Sequence, residues 1–222
     1  MESFPKPKII RSHRKTYSIQ ILPDATLVVK APFFTPMFFI NKFIQKNKSW
    51  IENKITKIHE QGISGFKTYN EGDVFFYMGR GYKLSIGNYS AIQLSNDKLL
   101  FPSVSKFRIK KELSNWYIKQ AKEIITTQVF TYSHEMKAQY TDLKFSDTKS
   151  QWGRCTHDNR LQFSWRLIMA PLLVINYVVV HELAHTFYKN HSRTFWNKVR
   201  LYNPSYKQQI KWLKENGHSL KD

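Results

Sequence analysis

Hydrophobic positions along the 222-residue chain change their period several times, and each change marks a new element. Between Lys8 and Lys30 they alternate: Tyr17, Ile19 and Ile21, then Leu27 and Val29. Period two predicts two strands, and Pro23 and Asp24 between them predict the turn of a hairpin. Beyond Ala31 and Pro32 the spacing lengthens. Phe39, Phe43, Ile44, Trp50, Ile51, Ile55 and Ile58 recur at helical intervals. They predict one long helix over 36–60, with Thr35 as its cap, Pro36 in its first turn and Gly62 and Gly65 past its end. Strand-like runs follow at 73–78, 82–86, 91–94 and 99–101. Gly79, Gly81, Gly87 and the Asn96 and Asp97 turn separate them, so a small antiparallel sheet is expected.

After Pro102 the period is helical again, with Leu113, Trp116, Tyr117, Ala121, Ile124, Ile125, Val129 and Tyr132 on one stripe. We place a domain boundary there, giving an N-terminal β/α region over 1–102 and a second domain over 103–222. Within the second domain, 143–145 and 160–165 read as strands, with a turn at Asp158 and Asn159. Pro171 opens a helix that runs into the sequence HELAH. Its β-branched run Val178 to Val180 favours a strand locally, a preference that burial can override. Two short amphipathic helices complete the chain, at 194–202 and 205–216, broken at Pro204 and ended by Gly217. The fold class expected is α+β.

Composition narrows the reading. Apolar residues make up 41% and aromatics 15%, which excludes the disordered class. The single cysteine, Cys155, excludes an internal disulfide and points to a reducing compartment. The longest apolar run, 168–180, contains Pro171 and Asn176 and is shorter than the roughly 20 residues a span requires. The basic N-terminus has no apolar core of signal length. A soluble cytoplasmic protein without a membrane partner is expected. Thirty-five Lys and Arg against sixteen Asp and Glu give a net +19, a field that attracts polyanions, so nucleic acid or nucleoprotein is a candidate partner. The bland alternative is a charge that serves solubility.

The chemistry concentrates in HELAH. His181 and His185 are four residues apart, so on a helix they project about 40° from one another and can share one ion. This is the HExxH arrangement, in which two neutral imidazoles bind Zn²⁺ and the glutamate, here Glu182, takes a proton from the metal-bound water. A catalytic zinc needs a third protein ligand, and His191 is the candidate. Six residues beyond His185, it would point away on a continuous helix, so the chain must break first. Lys189 and Asn190 are the expected break, asparagine tolerating the left-handed conformation. The spacing HExxHxxxxxH equals that of the metzincins, although Tyr188 stands where they have glycine and no Met-turn methionine follows. A glutamate third ligand is the competing choice, but Glu215 near the C-terminus is the only one downstream. An isolated HExxH arises by chance on helices; the third histidine and the apolar helix before the motif favour the metal.

SQWGRC, WRLIMAP, NYVVVHELAH, NHSRTFW and WLKENGH resemble the YgjP-like family of metallopeptidases, which is related to SprT-like and WLM proteases. APFFTPMFFINKFIQKNKSWIENK and YMGRGYKL are similar to its N-terminal region in pattern. The resemblance is strongest over 149–220. It implies a zincin-like catalytic domain with zinc on His181, His185 and His191 and Glu182 as the catalytic residue. The chain departs at Arg154, where the family usually has serine.

The expected function is zinc-dependent hydrolysis of peptide bonds in a polypeptide substrate. Strand 161–165, just before the active helix, is expected to offer an edge to an extended segment. Arg166, Tyr202, Tyr206 and His218 are candidates for stabilising the oxyanion, while Trp152, Cys155, Trp165 and Trp196 are expected to pack around the site. Two rival functions are a DNA-associated protease of SprT type and a non-catalytic zinc-containing module that binds nucleic acid. A closed fourth ligand would favour the last.

Overall fold

A computed structural model describes residues 6–22, 25–60 and 68–220, so the expected turn at Pro23 and Asp24 and the stop at Gly62 and Gly65 lie outside the described residues. It is a mixed α+β protein whose described residues form six α-helices and three small mixed sheets. The chain divides into two compact units, Met1–Thr68 and Tyr69–Asp222.

In the first unit β1 (Lys8–Ser12), β2 (Ser18–Ile21) and β3 (Leu27–Pro32) form a sheet ordered β1-β3-β2. β2 and β3 pair antiparallel as the alternation predicts, with Ile19 opposite Val29. β1 adds in parallel on the other side of β3. The expected long helix is two, α1 (Met37–Lys46) and α2 (Lys48–Glu60). Asn47 separates them: its amide Nδ2 donates to the Phe43 carbonyl, competing with the backbone ladder as asparagine does in helix interiors. The N-cap is Pro36 rather than Thr35. Ile40, Ile44 and Ile51 face a small core with Leu27, Val29 and Ala31.

The second unit begins with β4 (Val74–Tyr77), β5 (Arg80–Gly87), β6 (Gln93–Ser95) and β7 (Lys98–Pro102), in the order β4-β5-β7-β6. This sheet is mixed where an antiparallel one was expected, because β5 and β7 run parallel and β6 folds back between them in sequence. The β4–β5 hairpin turns at Met78 and Gly79, both at positive φ, the backbone a two-residue hairpin turn requires. A Cβ on Gly79 would lie 2.6 Å from Cγ of Pro171, so only glycine lets this turn meet the start of the next-but-one helix.

α3 (Lys106–Met136) buries Ile109, Leu113, Tyr117, Ala121, Ile125 and Val129. A strict four-residue repeat advances about 40° per step around the axis. The apolar stripe therefore winds about the helix and meets different neighbours along its length: the strand Asp142–Ser146, the 3-10 helix Trp165–Met169 and the helix Leu172–Ala184. β8 (Asp142–Ser146), β9 (Gly153–Cys155) and β10 (Arg160–Ser164) form the third sheet, ordered β8-β10-β9. β10 is its central strand, parallel to β8 and antiparallel to β9, so the edge expected at 161–165 does not exist. The outer strands are β8 and β9.

α4 (Leu172–Ala184) is enclosed on nearly every side, with Val174, Ile175, Tyr177 to Val180 and Leu183 all buried. Full burial explains why the β-branched run is helical despite its local preference. α5 (Arg193–Tyr202) and α6 (Tyr206–Asn216) pack against it. No described helix is long and apolar enough to cross a membrane.

Candidate metal centre and active site

α4 carries His181 and Glu182 in its last turn, and His185 is its C-cap. The helix ends through short-range bonds: the amides of His185, Thr186 and Phe187 donate to the carbonyls three residues back. The break therefore comes earlier than expected. Neither Lys189 nor Asn190 takes a left-handed conformation. The following residues cross over, and α5 opens with Ser192 as N-cap, its hydroxyl accepting from the Phe195 amide at 3.4 Å. His191 sits immediately before that cap and is turned back toward α4.

The result is a convergence of three imidazoles. One ligating atom from each of His181, His185 and His191 lies within 4.8 Å of the others, and Nε2 of His181 and of His191 are 3.1 Å apart. Two nitrogens bound to one tetrahedral zinc at 2.0 to 2.1 Å are about 3.3 Å apart, so the spacing fits a shared ion. Nδ1 of His185 is 2.9 Å from the Tyr188 carbonyl, which fixes the tautomer that leaves Nε2 free to ligate. Nδ1 of His181 is 3.4 Å from the Tyr177 hydroxyl.

Packing holds the rings in place. Phe195, fully buried, has its ring centroid 5.0, 4.5 and 4.7 Å from those of His181, His185 and His191. Trp196 stacks on His191 at 5.6 Å and is itself covered by Tyr206 at 5.2 Å. Burial, reinforced by the neighbouring imidazoles of His185 and His191, lowers His181 to about 3, and burial lowers His185 as well. Both rings are thus neutral at pH 7, the form in which imidazole binds a metal.

Glu182 is 6% exposed and packs against β9. Burial pushes its carboxyl up to about 8, opposed by a hydrogen bond from the Cys155 backbone amide. A divalent cation on the adjacent imidazoles would favour the carboxylate. Gly153 makes the approach possible: a Cβ there would lie 2.6 Å from Glu182 Cγ and 2.8 Å from Oε1. The amides of Ser164 and Thr156 donate to the Trp152 and Arg160 carbonyls, so Trp152, Arg154 and Thr156 turn their backbone toward β10. Gly153 and Cys155 turn theirs the other way, toward the glutamate.

A model of the YgjP-like metallopeptidase domain matches residues 15–216, nearly the full chain. This protein belongs to the YgjP-like metallopeptidase family. No curated protein and no solved structure matches it. In this YgjP-like chain the four residues singled out in the sequence lie together at the end of α4 and the start of α5.

The oxyanion candidates scatter. Arg166 is buried in an ion pair with Asp147 and lies over Trp165, 4.2 Å from the ring. The Tyr202 hydroxyl donates to the Glu135 carbonyl at 3.3 Å, and His218 is exposed in the turn beyond α6. Tyr206 stacks on Trp196, which in turn stacks on His191. Of the expected packing residues, Trp196 stands against the imidazoles, and Cys155 is joined to Glu182 through its amide. Trp165 stacks on Tyr117 instead and donates to Asp147. Trp152 lies against Gly217.

Three further residues stand near the site without being candidates on sequence grounds. Tyr177 precedes His181 by four positions, a signal readable from the same helical period that pairs His181 with His185. Lys189 does not break the helix but acts as a tie: its Nζ donates to the Thr156 carbonyl at 2.9 Å and to Asn159 Oδ1 at 2.5 Å, joining the segment before His191 to the β9–β10 turn. Gly153 has no sequence signal beyond its place in the SQWGRC segment.

Proposed function

We propose that His181, His185 and His191 hold a zinc ion in a zincin-like catalytic domain of HExxHxxxxxH type and that the protein hydrolyses peptide bonds with Glu182 as general base. The observation that carries this reading is the meeting of three imidazoles beside one buried carboxyl. Bound zinc supplies Lewis acidity, polarising the scissile carbonyl and acidifying water. The chain supplies the rest. Glu182 takes the proton of the attacking water on its carboxylate and delivers it to the leaving amine. The Tyr177 hydroxyl and the Tyr188 carbonyl orient His181 and His185 through their Nδ1 atoms. Phe195 and Trp196 pack against the imidazole rings and hold their positions.

The substrate is an extended polypeptide that pairs with β9 on the side away from β10, at groups other than the Cys155 amide, which already donates to Glu182. Such pairing demands an unfolded or flexible segment. Only three His, Cys, Asp or Glu side chains join the cluster among the described residues, which leaves room for a water or carbonyl and favours a catalytic over a closed structural site.

The purified protein is expected to hold about one zinc per chain. His191→Ala should lose most of that zinc, and chelation of the wild type should abolish cleavage of unfolded casein and lower its Tm. Unchanged zinc affinity in His191→Ala would remove the third ligand from the account.

A further inference from the structure

A second concave surface lies in the first unit, well apart in sequence from the metal centre. Strand β1 and the loop after it face the β3–α1 loop across a cleft of about 630 Å³, within the range that holds small-molecule groups. His13, Arg14, Lys15, Phe33, Phe34 and Phe39 line it, and no acidic side chain does. The aromatic rings are presented, not buried: Phe34 is 91% and Phe33 51% exposed. His13 stacks on Phe33 at 5.8 Å with the planes 19° apart, and Phe34 meets Phe33 edge-on at 5.6 Å.

The loop that carries these rings is fixed in advance. Nη1 of Arg11 donates to the carbonyls of Phe33 and Thr35, at 2.9 and 2.6 Å. Arg14 donates through Nη1 to Ser18, but its Nε is buried without a partner in the wall of the cleft. An unsatisfied donor of this kind calls for an anion. Charge agrees with this: between Glu2 and Glu52 the sequence has nine Lys and Arg and one acidic residue, Asp24.

We infer that this cleft binds single-stranded nucleic acid, with bases stacked on Phe33 and Phe34 and phosphates met by Arg14 and Lys15. Flat rings interleaved with cations suit a ligand that repeats a π-face and a negative charge. A duplex keeps its bases stacked inside and cannot offer them. A bilayer surface takes a convex apolar tip, whereas this site is concave and lined by cations. The inference stands independently of the peptidase reading, and its test reads binding alone.

The full-length protein is titrated against labelled oligo(dT) and oligo(U) of about 12 nucleotides, a duplex of equal length, and vesicles of phosphatidylserine and phosphatidylcholine. Either single strand should bind more tightly than the duplex, and the tighter of the two identifies DNA or RNA as the source. Phe34→Ala, a change at an exposed position that leaves folding intact, should weaken single-strand binding about fivefold or more. Lys15→Gln should make binding less salt-dependent, by about one unit of log–log slope for each phosphate that is no longer neutralised. Equal binding of duplex and single strands with no effect of Phe34→Ala would overturn the inference and leave the field of +19 as the cause. Phe34-dependent binding to the vesicles, without preference for single strands, would overturn it in favour of a lipid surface. No binding of any oligonucleotide at low salt would also overturn it.

Discussion

Gly153 on β9 and Glu182 on α4 touch so closely that the space for a single methyl group is missing: a Cβ on the glycine would fall 2.6 Å from the glutamate's Cγ. The strand edge and the proposed base are thus held as one piece, although they lie far apart in sequence. Gly153→Ala must push the carboxyl away or lift the strand. We expect the variant to keep its zinc, since the three histidines belong to the end of α4 and the approach to α5 rather than to β9. It should lose about 10²-fold in casein cleavage through misplacement of the base. Normal activity in a folded, zinc-loaded Gly153→Ala protein would show that the contact does not position Glu182.

Tyr177→Phe removes a hydroxyl 3.4 Å from Nδ1 of His181 without changing the packing of α4. If that hydroxyl orients the ligand, zinc affinity should fall about 10- to 100-fold, measured by competition with a chromogenic chelator, while the Tm of the metal-free protein stays within a few degrees. An unchanged affinity would reduce the tyrosine to a packing residue.

The segment before β9 has its own acid-sensitive clamp. Asp147 Oδ1 accepts from Trp165 Nε1 at 2.7 Å and from the buried Arg166 guanidinium. Partial desolvation raises its carboxyl, but the hydrogen bonds from Arg166 and Trp165 outweigh this and hold it below the usual 3.8. A folded value below the unfolded one means that the stabilisation is complete above about pH 4 and is lost as pH falls through the folded value. Asp147→Asn should therefore lower Tm at pH 7 and at pH 5 alike, and the gap to wild type should close below pH 3.8. A gap that widened in acid would have the sign wrong.

Much of this architecture is legible in the sequence because it depends on local period. The alternation of Ile19, Ile21, Leu27 and Val29 and the stripe of α3 are such cases. The pair His181 and His185 is another, since four residues bring two side chains onto one helix face. What is not legible depends on partners distant in sequence. β1 is mostly exposed and lacks alternation, and β9 is three residues long with a glycine, so neither announces itself. The parallel pairing of β5 with β7, and of β8 with β10, leaves no mark on either strand alone. This is also why β10 reads as an edge when it lies in the centre. The break at Asn47 turns on one side-chain hydrogen bond that the apolar stripe cannot encode. Counting residues is enough to find His191, but not the route that returns it, an early helix end at His185 and a new cap at Ser192.

The central claim is tested most directly by comparing zinc-loaded wild type with Glu182→Gln in a casein cleavage assay, with zinc content and Tm measured on the same samples. Glutamine keeps the size of the side chain and removes the base. The account predicts equal zinc, a Tm near wild type and cleavage reduced by at least about 10²-fold. Cleavage retained in full by the zinc-loaded Glu182→Gln protein would contradict it.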